Sequence, residues 1–226
     1  MTPRTSPIVL FDAFGTLVEM EPPAPVLARE LRDAGYPADP ARVADALRQE
    51  IAHYRARMHV GADDAGLQAL RAECGAVLAG ALGPGAPGPD EATAMLLRSL
   101  RFRLHPDAHA ALDALAAQGV RMGVVSNWDC ALPHHLARLG VAERFEVIAA
   151  SAAVGAAKPD PAIFLHAVRA LGAQPGDALH VGDRRVEDYE GARAAGLSAL
   201  LLSRDGEARG PDVVRSLREV PGRIAA

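Results

Sequence analysis

Cysteines, aromatic residues and long apolar runs are scarce in this 226-residue chain, and each scarcity excludes a class of protein. The two cysteines, Cys74 and Cys130, provide neither a disulfide framework nor the spacing of a cysteine metal site. No segment contains the roughly 18 consecutive apolar residues that a membrane span requires, and residues 1–7 lack the pattern of a signal peptide. We therefore expect a cytoplasmic protein with reduced thiols and no membrane partner.

An excess of basic residues is also absent. Lysine and arginine number 24 against 28 aspartates and glutamates, which gives a formal net charge of −4. The chain lacks the basic stripe of a nucleic-acid-binding protein, so we expect no nucleic-acid partner. Half of the residues are apolar, which suffices for a sizeable core in one large domain or in a domain with an insertion.

Between residues 18 and 100, apolar residues recur at helical spacing, as in Val43, Leu47 and Ile51, and no strand pattern is visible. Asp39 is the predicted N-cap of a helix whose first residue is Pro40. A breaker-rich loop follows at residues 83–89. This section therefore predicts an all-helical insertion.

The remainder of the chain alternates strands and helices. Short apolar runs predict buried strands at residues 8–11, 122–125, 145–150, 178–181 and 198–202. Helices are predicted between them at residues 108–117, 132–139, 161–171 and 186–195. The alternation predicts an α/β fold with a Rossmann-like parallel sheet and helices on both faces, formed by residues 1–17 and 101–226. Residues 18–100 would then be a helical cap.

Residues with reactive or charged side chains follow the predicted strands. Asp12 comes after the first strand, Ser126 after the second, and Lys158 after the third. Asp183 follows the fourth, with Asp188 five residues further on. Because ligands of such sheets bind outside the carboxyl ends of the strands, we expect these side chains to share one site.

Asp12 is either a turn cap or a nucleophile, and its neighbours favour the second interpretation. Gly15 permits a sharp turn that would leave backbone amides free to face an anion, and Thr16 adds a hydroxyl donor. A carboxylate beside such donors suits covalent catalysis. Ser126 and Asn127 could in turn be only an N-cap and a turn residue.

The charged residues have two interpretations. Lys158 could be a surface lysine, and Asp183 and Asp188 could serve only the dipole of the next helix. With Asp12 beside them, however, three carboxylates would repel one another unless a cation lay between them. Mg²⁺ prefers carboxylate oxygens, water and phosphate. We therefore expect a magnesium site here.

The four motifs, at residues 11–17, 124–127, 158–161 and 181–188, occur in an order that resembles the haloacid dehalogenase superfamily of aspartate-nucleophile hydrolases. Most of these are magnesium-dependent phosphatases. The resemblance implies a catalytic set of nucleophile, cation and hydroxyl, namely Asp12, Lys158 and Ser126. It implies that the substrate is bound by Gly15, Thr16, Ser126, Asn127 and Lys158. It implies metal ligation by Asp12, the backbone carbonyl of Phe14, Asp183 and, directly or through water, Asp188.

Phe14 departs from the phosphatase pattern, in which this place usually holds an aspartate that protonates the leaving oxygen. A phenylalanine cannot exchange a proton, and such help is typically worth about 10²–10⁴-fold. Three alternatives stay open. Another residue donates the proton, or the substrate has a good leaving group, or the reaction is not phosphoester hydrolysis.

Residues 12–17 are also similar to the first motif of the 2-haloacid dehalogenases, which have an aromatic residue at this place and release a halide without a proton. That resemblance implies a metal-free reaction and an arginine from the cap that binds the substrate carboxylate. Arg48 is the candidate, although its position equally fits a solvated helix face. Asp183 argues against this alternative, because an unneutralised carboxylate there would repel a haloacid anion.

The favoured prediction is a magnesium-dependent phosphatase that acts on a small, anionic phosphorylated metabolite through an aspartyl-phosphate intermediate. The cap would exclude water and select the substrate. The protein would be a monomer or a homodimer. A catalytically weak pseudo-phosphatase with a binding role is the second alternative.

Overall fold

The computed structural model describes residues 7–224, which divide into two compact units. Among the described residues, one unit comprises residues 7–19 and 104–224, and the other comprises Met20–Arg103. Residues 1–7 were predicted not to form a signal peptide, and all of them except Pro7 lie outside the described residues. The outer ends of the predicted core, residues 1–6 and 225–226, fall outside them as well.

A six-stranded parallel sheet forms the centre of the first unit. Its strands are β1 (Ile8–Phe11), β4 (Arg121–Ser126), β5 (Val147–Ala150), β6 (Ala178–Gly182), β7 (Ser198–Leu202) and β8 (Val213–Val214). The order across the sheet is β5-β4-β1-β6-β7-β8. Every strand pair is parallel, which confirms the predicted α/β fold with a Rossmann-like sheet.

Strand β1 lies between β4 and β6, and all four of its residues are buried because both faces of the sheet are covered. The chain order reverses at β1, since β4 and β5 lie on one side and β6 to β8 on the other. Such a switch point opens a crevice at the carboxyl ends of the strands, where α/β proteins bind ligands. Asp12 is the first residue after β1 and therefore lies at this crevice.

Helices pack against the sheet of the first unit. They are α5 (Ala108–Ala117), α6 (Leu132–Arg138), α7 (Ser151–Val154), α8 (Pro161–Ala170), α9 (Gly191–Ala194) and α10 (Val220–Ile224). Apolar residues of α8, including Ile163 and Phe164, join those of β1 in one buried core. The predicted helix at 186–195 is instead a π-helical segment, Arg185–Glu190, followed by α9.

The second unit is helical, with α1 (Pro23–Asp33), α2 (Pro40–Arg57), α3 (Asp64–Leu82) and α4 (Pro89–Ser99) around their own apolar core. The side chain of Asp39 accepts a hydrogen bond from the amide of Arg42, which confirms the predicted N-cap of α2. Helix α4 had no predicted counterpart. No helix of the described residues is long and apolar enough to cross a membrane.

A separate two-stranded sheet pairs β2 (Val18–Met20) with β3 (Phe102–Leu104). The prediction of no strand between residues 18 and 100 is therefore wrong at its first three positions. Three residues are too few to show the alternation by which a strand is detected in a sequence.

Candidate active site

Asp12 is held at the end of β1 by the central sheet. Its backbone amide donates to the carbonyl of Val181 in the neighbouring strand at 2.9 Å. The residue is only 4% exposed. From the end of β4, the hydroxyl of Ser126 donates to Asp12 Oδ1 at 2.8 Å. The predicted nucleophile and the predicted hydroxyl donor are thus in direct contact.

Lys158 joins two carboxylates of the site. Its Nζ donates to Asp12 Oδ1 at 2.6 Å and to Asp188 Oδ1 at 2.5 Å. Asn127 fixes the backbone of Lys158, since Nδ2 donates to the lysine carbonyl and Oδ1 accepts from its amide. Asp160 caps α8 by accepting from the amide of Ala162. The loop around Lys158 is therefore supported on both sides, and the side-chain amide of Asn127 is used in holding it.

Asp188 is fully buried and bonded through both oxygens. In addition to Lys158, the imidazole of His180 lies 3.0 Å from Oδ1. The amide of Arg184 donates to Oδ2 at 2.9 Å. A Cβ atom on Gly182 would lie 2.2 Å from Asp188 Cγ, so only glycine leaves room for this carboxylate. Sequence patterns had not singled out His180, because a histidine inside an apolar strand carries no separate signal.

Asp183 completes an acidic group of three. One oxygen from each of Asp12, Asp183 and Asp188 lies within 4.8 Å of the others. Asp183 Oδ1 is buried and has no hydrogen-bond partner among the described residues. A Cβ atom on Gly15 would lie 2.4 Å from Asp183 Oδ2. Asp183 therefore lies where burial and two carboxylates raise its pKa, and the guanidinium of Arg184 opposes them only in part.

The electrostatics follow from this arrangement. Burial raises the pKa of Asp12 despite the nearby ammonium of Lys158. Burial and the two neighbouring carboxylates raise the pKa of Asp183 to about 6. Burial opposes ionisation of Asp188, but Lys158 and His180 hold its pKa well below the usual range. Burial opposes the charge of Lys158, but the carboxylates of Asp12 and Asp188 outweigh it and raise the pKa of the lysine, so the lysine stays protonated.

The predicted roles of Gly15 and Thr16 need correction. Their amides are not free for an anion, because the Gly15 amide donates to Val18 O at 2.8 Å and the Thr16 amide to Ala13 O at 3.3 Å. The hydroxyl of Thr16 is buried and has no partner among the described residues. Gly15 does turn the chain, with φ of +90°. Its visible contribution is the turn and the space for Asp183.

Phe14 and Arg48 are both exposed. Phe14 is 41% exposed, and its ring meets that of Trp128 edge-on with centroids 6.2 Å apart. Arg48 makes an ion pair with Asp45 one helical turn away on α2. That pairing fits the interpretation of Arg48 as part of a solvated helix face.

A second polar network lies behind the loop that follows Asp12. The guanidinium of Arg204 donates to the carbonyl of Thr16 at 2.9 Å and makes two hydrogen bonds to Asp107. Asp107 also accepts from Ser216 Oγ and from the amide of Leu217. No sequence motif pointed to this network, since its directly bonded residues are up to 188 positions apart.

A comparison with known families decides the assignment. The family model described as haloacid dehalogenase-like hydrolase matches residues 7–196, well over half of the chain. The chain belongs to the haloacid dehalogenase-like hydrolases. This confirms the resemblance inferred from the four motifs and makes the protein a hydrolase.

Relatives of this hydrolase include the haloacid dehalogenase-like hydrolase domain-containing protein 3 of Danio rerio. The two are 36% identical over 129 residues, which cover 54% of this chain and 53% of the relative. The phosphoserine phosphatase of Thermus thermophilus is 34% identical over 119 residues, with 52% and 48% covered. The chain therefore spans about half the length of the curated relatives it matches.

Among solved structures, the hydrolase is similar to a 2-haloacid dehalogenase from Pseudomonas syringae pv. Tomato DC3000. The TM-score is 0.66 at 26% identity, and the match covers 98% of this chain and 99% of the other. Enzymes described as phosphatases and as dehalogenases thus both occur among its relatives, and the chain's own site must distinguish them.

Proposed function

We propose that this hydrolase is a magnesium-dependent phosphatase that acts on a small, anionic phosphorylated metabolite. The observation that carries the proposal is the acidic group formed by Asp12, Asp183 and Asp188, to which the ammonium of Lys158 and the imidazole of His180 are bonded. Three carboxylates against one ammonium leave an excess of negative charge that a divalent cation would neutralise.

The donor set fits Mg²⁺. This ion takes oxygen ligands, commonly from one or two carboxylates together with water and substrate phosphate. Asp183 offers a buried oxygen without a partner among the described residues. The proposed ligands are Asp12, the backbone carbonyl of Phe14, Asp183 and, as a direct or water-mediated ligand, Asp188. When bound, the metal would neutralise the site and polarise a phosphoryl oxygen.

Asp12 is the proposed nucleophile, and its hydrogen bonds indicate which oxygen attacks. Ser126 and Lys158 both donate to Oδ1. Oδ2 is therefore the oxygen that would form the bond to phosphorus while the bond to the leaving group breaks. The product is an aspartyl phosphate, which water then hydrolyses. Lys158, kept protonated by two carboxylates, would stabilise the phosphoryl oxygens throughout.

The same proposal assigns different roles to the two parts of the chain. Residues 1–17 and 101–226 would provide the chemistry, and residues 18–100 would act as the cap that selects the substrate. The phosphoserine phosphatase relative supports a phosphatase activity. Because the match spans about half of that protein, its substrate is not transferred to this chain.

Phosphate release tests the proposal. Acetyl phosphate and p-nitrophenyl phosphate are incubated with the enzyme in Mg²⁺ and in chelator, using wild type and Asp12→Asn. The matched control is Asp113→Asn, an exposed aspartate of α5 that pairs with Arg144. We expect turnover that requires Mg²⁺, disappears in Asp12→Asn and persists in the control. Absence of phosphate release from the folded protein would refute the proposal.

A 2-haloacid dehalogenase is the second candidate, favoured by one observation. Phe14 provides no proton two residues after Asp12, and a departing halide requires none. Chloride release from 2-chloropropionate in the presence of chelator would establish this reaction. Ligand binding without phosphate or chloride release would instead indicate the pseudo-phosphatase alternative.

A further inference from the structure

We propose that the site is built for phosphorylated substrates whose leaving group is a planar, conjugated oxyanion, as in an aryl or enol phosphate, and that the exposed ring of Phe14 contacts this group. The inference rests on the proposed phosphatase function and deepens it. It accounts for two observations together, namely the missing proton donor and the exposed aromatic ring at the same position.

Phe14 is exposed although the residues before it in the loop after β1 are buried. Its neighbours Ala13 and Asp12 are buried, whereas Phe14 is 41% exposed. The backbone of this turn is fixed, because Gly15 N donates to Val18 O and Val18 N donates to Ala13 O. A large apolar side chain on a rigid turn, two residues from the proposed nucleophile, gains free energy when a ligand covers it.

Trp128 supports the Phe14 ring and is itself buried, with 6% of its surface exposed. It lies two residues after Ser126, and its ring meets Phe14 at 67° with centroids 6.2 Å apart. The backbone of Trp128 is held by Ser151, whose hydroxyl lies 3.1 Å from its amide and 3.2 Å from its carbonyl oxygen. Both rings are thus attached to the same loops that carry Asp12 and Ser126. Aromatic surfaces favour planar π systems in stacked or edge-on contact.

The groups bonded to Asp12 are poorly suited to protonate a leaving oxygen. Ser126 and Lys158 already donate to Asp12 Oδ1, and Lys158 donates to Asp188 as well. Asp183 is assigned to the metal in the proposed function. A substrate that departs without a proton would remove the need for an acid.

The reaction of such a substrate is complete without a general acid. Asp12 Oδ2 forms a bond to phosphorus as the bond from phosphorus to the leaving oxygen breaks, and the electron pair stays with that oxygen. The resulting phenolate or enolate is stabilised by delocalisation. Water then attacks the phosphorus, one of its protons passes to a phosphate oxygen, and Asp12 is released as a carboxylate.

A series of leaving groups tests the first half of the inference. With Mg²⁺ present, kcat/KM is measured for p-nitrophenyl phosphate, phenyl phosphate and ethyl phosphate. In wild type we expect a steep fall along this series. Phe14→Asp restores an acid, so it should raise kcat/KM for ethyl phosphate by about 10²–10⁴-fold, and for p-nitrophenyl phosphate much less. If that variant does not fold, the wild-type series alone decides.

Phe14→Leu tests the second half, because leucine is apolar and lacks both the ring and an acid. We expect KM for p-nitrophenyl phosphate to rise about 2- to 10-fold. KM for acetyl phosphate, which has no ring, should rise less than KM for p-nitrophenyl phosphate.

Two results would overturn the inference while leaving the phosphatase proposal intact. Equal wild-type kcat/KM for ethyl and p-nitrophenyl phosphate would reveal another proton donor. Equal effects of Phe14→Leu on acetyl and p-nitrophenyl phosphate would exclude the ring contact. No phosphate release from any of these compounds would remove the proposed function, and this inference with it.

Discussion

Two glycines determine where the carboxylates of the site can lie. Gly15 lies against Asp183 and Gly182 against Asp188, each so closely that a Cβ atom would overlap the carboxylate. In the sequence both glycines could be explained by turns alone. The structure indicates a second reason, which is that the backbone of one strand end must approach the acid of another. Position-specific contacts of this kind control metal sites as strongly as the ligands do.

Gly182→Ala should therefore displace Asp188 and weaken the site without touching a substrate. We expect a loss of about 10- to 100-fold in Mg²⁺ affinity or kcat/KM, as for other supporting contacts of metal sites. The measurement is phosphate release as a function of Mg²⁺ concentration. Gly176→Ala is the control, because a Cβ atom there meets nothing within 4 Å. Unchanged kinetics in Gly182→Ala would contradict this role.

At the scale of elements, the loop after β1 is tied to the C-terminal part of its own unit. Arg204 bonds to the carbonyl of Thr16 and to Asp107, and Asp107 accepts from Ser216 and Leu217. Burial raises the pKa of Asp107, but these donors overcome it and lower the pKa from 3.8 to about 2. The loop that presents Asp12 thus depends on a carboxylate outside the active site.

Asp107 gives the fold a pH dependence of defined sign. A carboxyl whose folded pKa lies below its unfolded value stabilises the protein above pH 3.8 and loses this contribution as the pH falls towards 2. We expect Asp107→Asn to lower the free energy of unfolding at pH 7 by about 1–3 kcal/mol and to flatten its decline between pH 4 and 2. Urea titrations across this range provide the measurement. If the free energy of unfolding of Asp107→Asn declined between pH 4 and 2 as steeply as that of wild type, Asp107 would not be the source of this pH dependence.

The fold was largely predictable at this scale, whereas the hydrogen bonds were not. Strands such as Ile8–Phe11 are short apolar runs bounded by polar residues or glycine, so their type and order could be predicted from the sequence. Strands of three residues and the π-helical turn around Asp188 lack such a pattern. Helix α4 was missed although Ala92, Met95 and Leu96 recur at helical spacing. The proximity of Lys158 to Asp12 followed from the motif resemblance. The bonds of Arg204 depend on tertiary geometry, and no local pattern encodes them.

At the scale of the whole molecule, the active site couples distant parts of the chain. The bond from Lys158 to Asp12 joins residues 146 positions apart, so the acidic group exists only when the sheet is folded. A cation that binds this group binds the folded state alone and must stabilise it. Without the cation, the repulsion between the carboxylates opposes folding.

Asp183→Asn should therefore have opposite effects with and without metal. In chelator we expect its Tm to exceed that of wild type by a few degrees, because a repelled buried carboxylate is removed. In saturating Mg²⁺ the wild type should gain about 2.7 kcal/mol at 100 times Kd, and the variant should gain little. Thermal unfolding followed by circular dichroism provides the measurement, with Asp113→Asn as the control. An equal Mg²⁺ effect in both proteins would place the metal elsewhere.

The central claim is that Asp12 forms a covalent bond to phosphorus. The most direct test is mass spectrometry of enzyme mixed with Mg²⁺ and p-nitrophenyl phosphate, quenched in acid during turnover and digested. The account predicts one added phosphoryl group on the peptide that contains Asp12, and none in Asp12→Asn. Turnover with a phosphoryl group on another residue, or with Asp12→Asn as active as wild type, would contradict it.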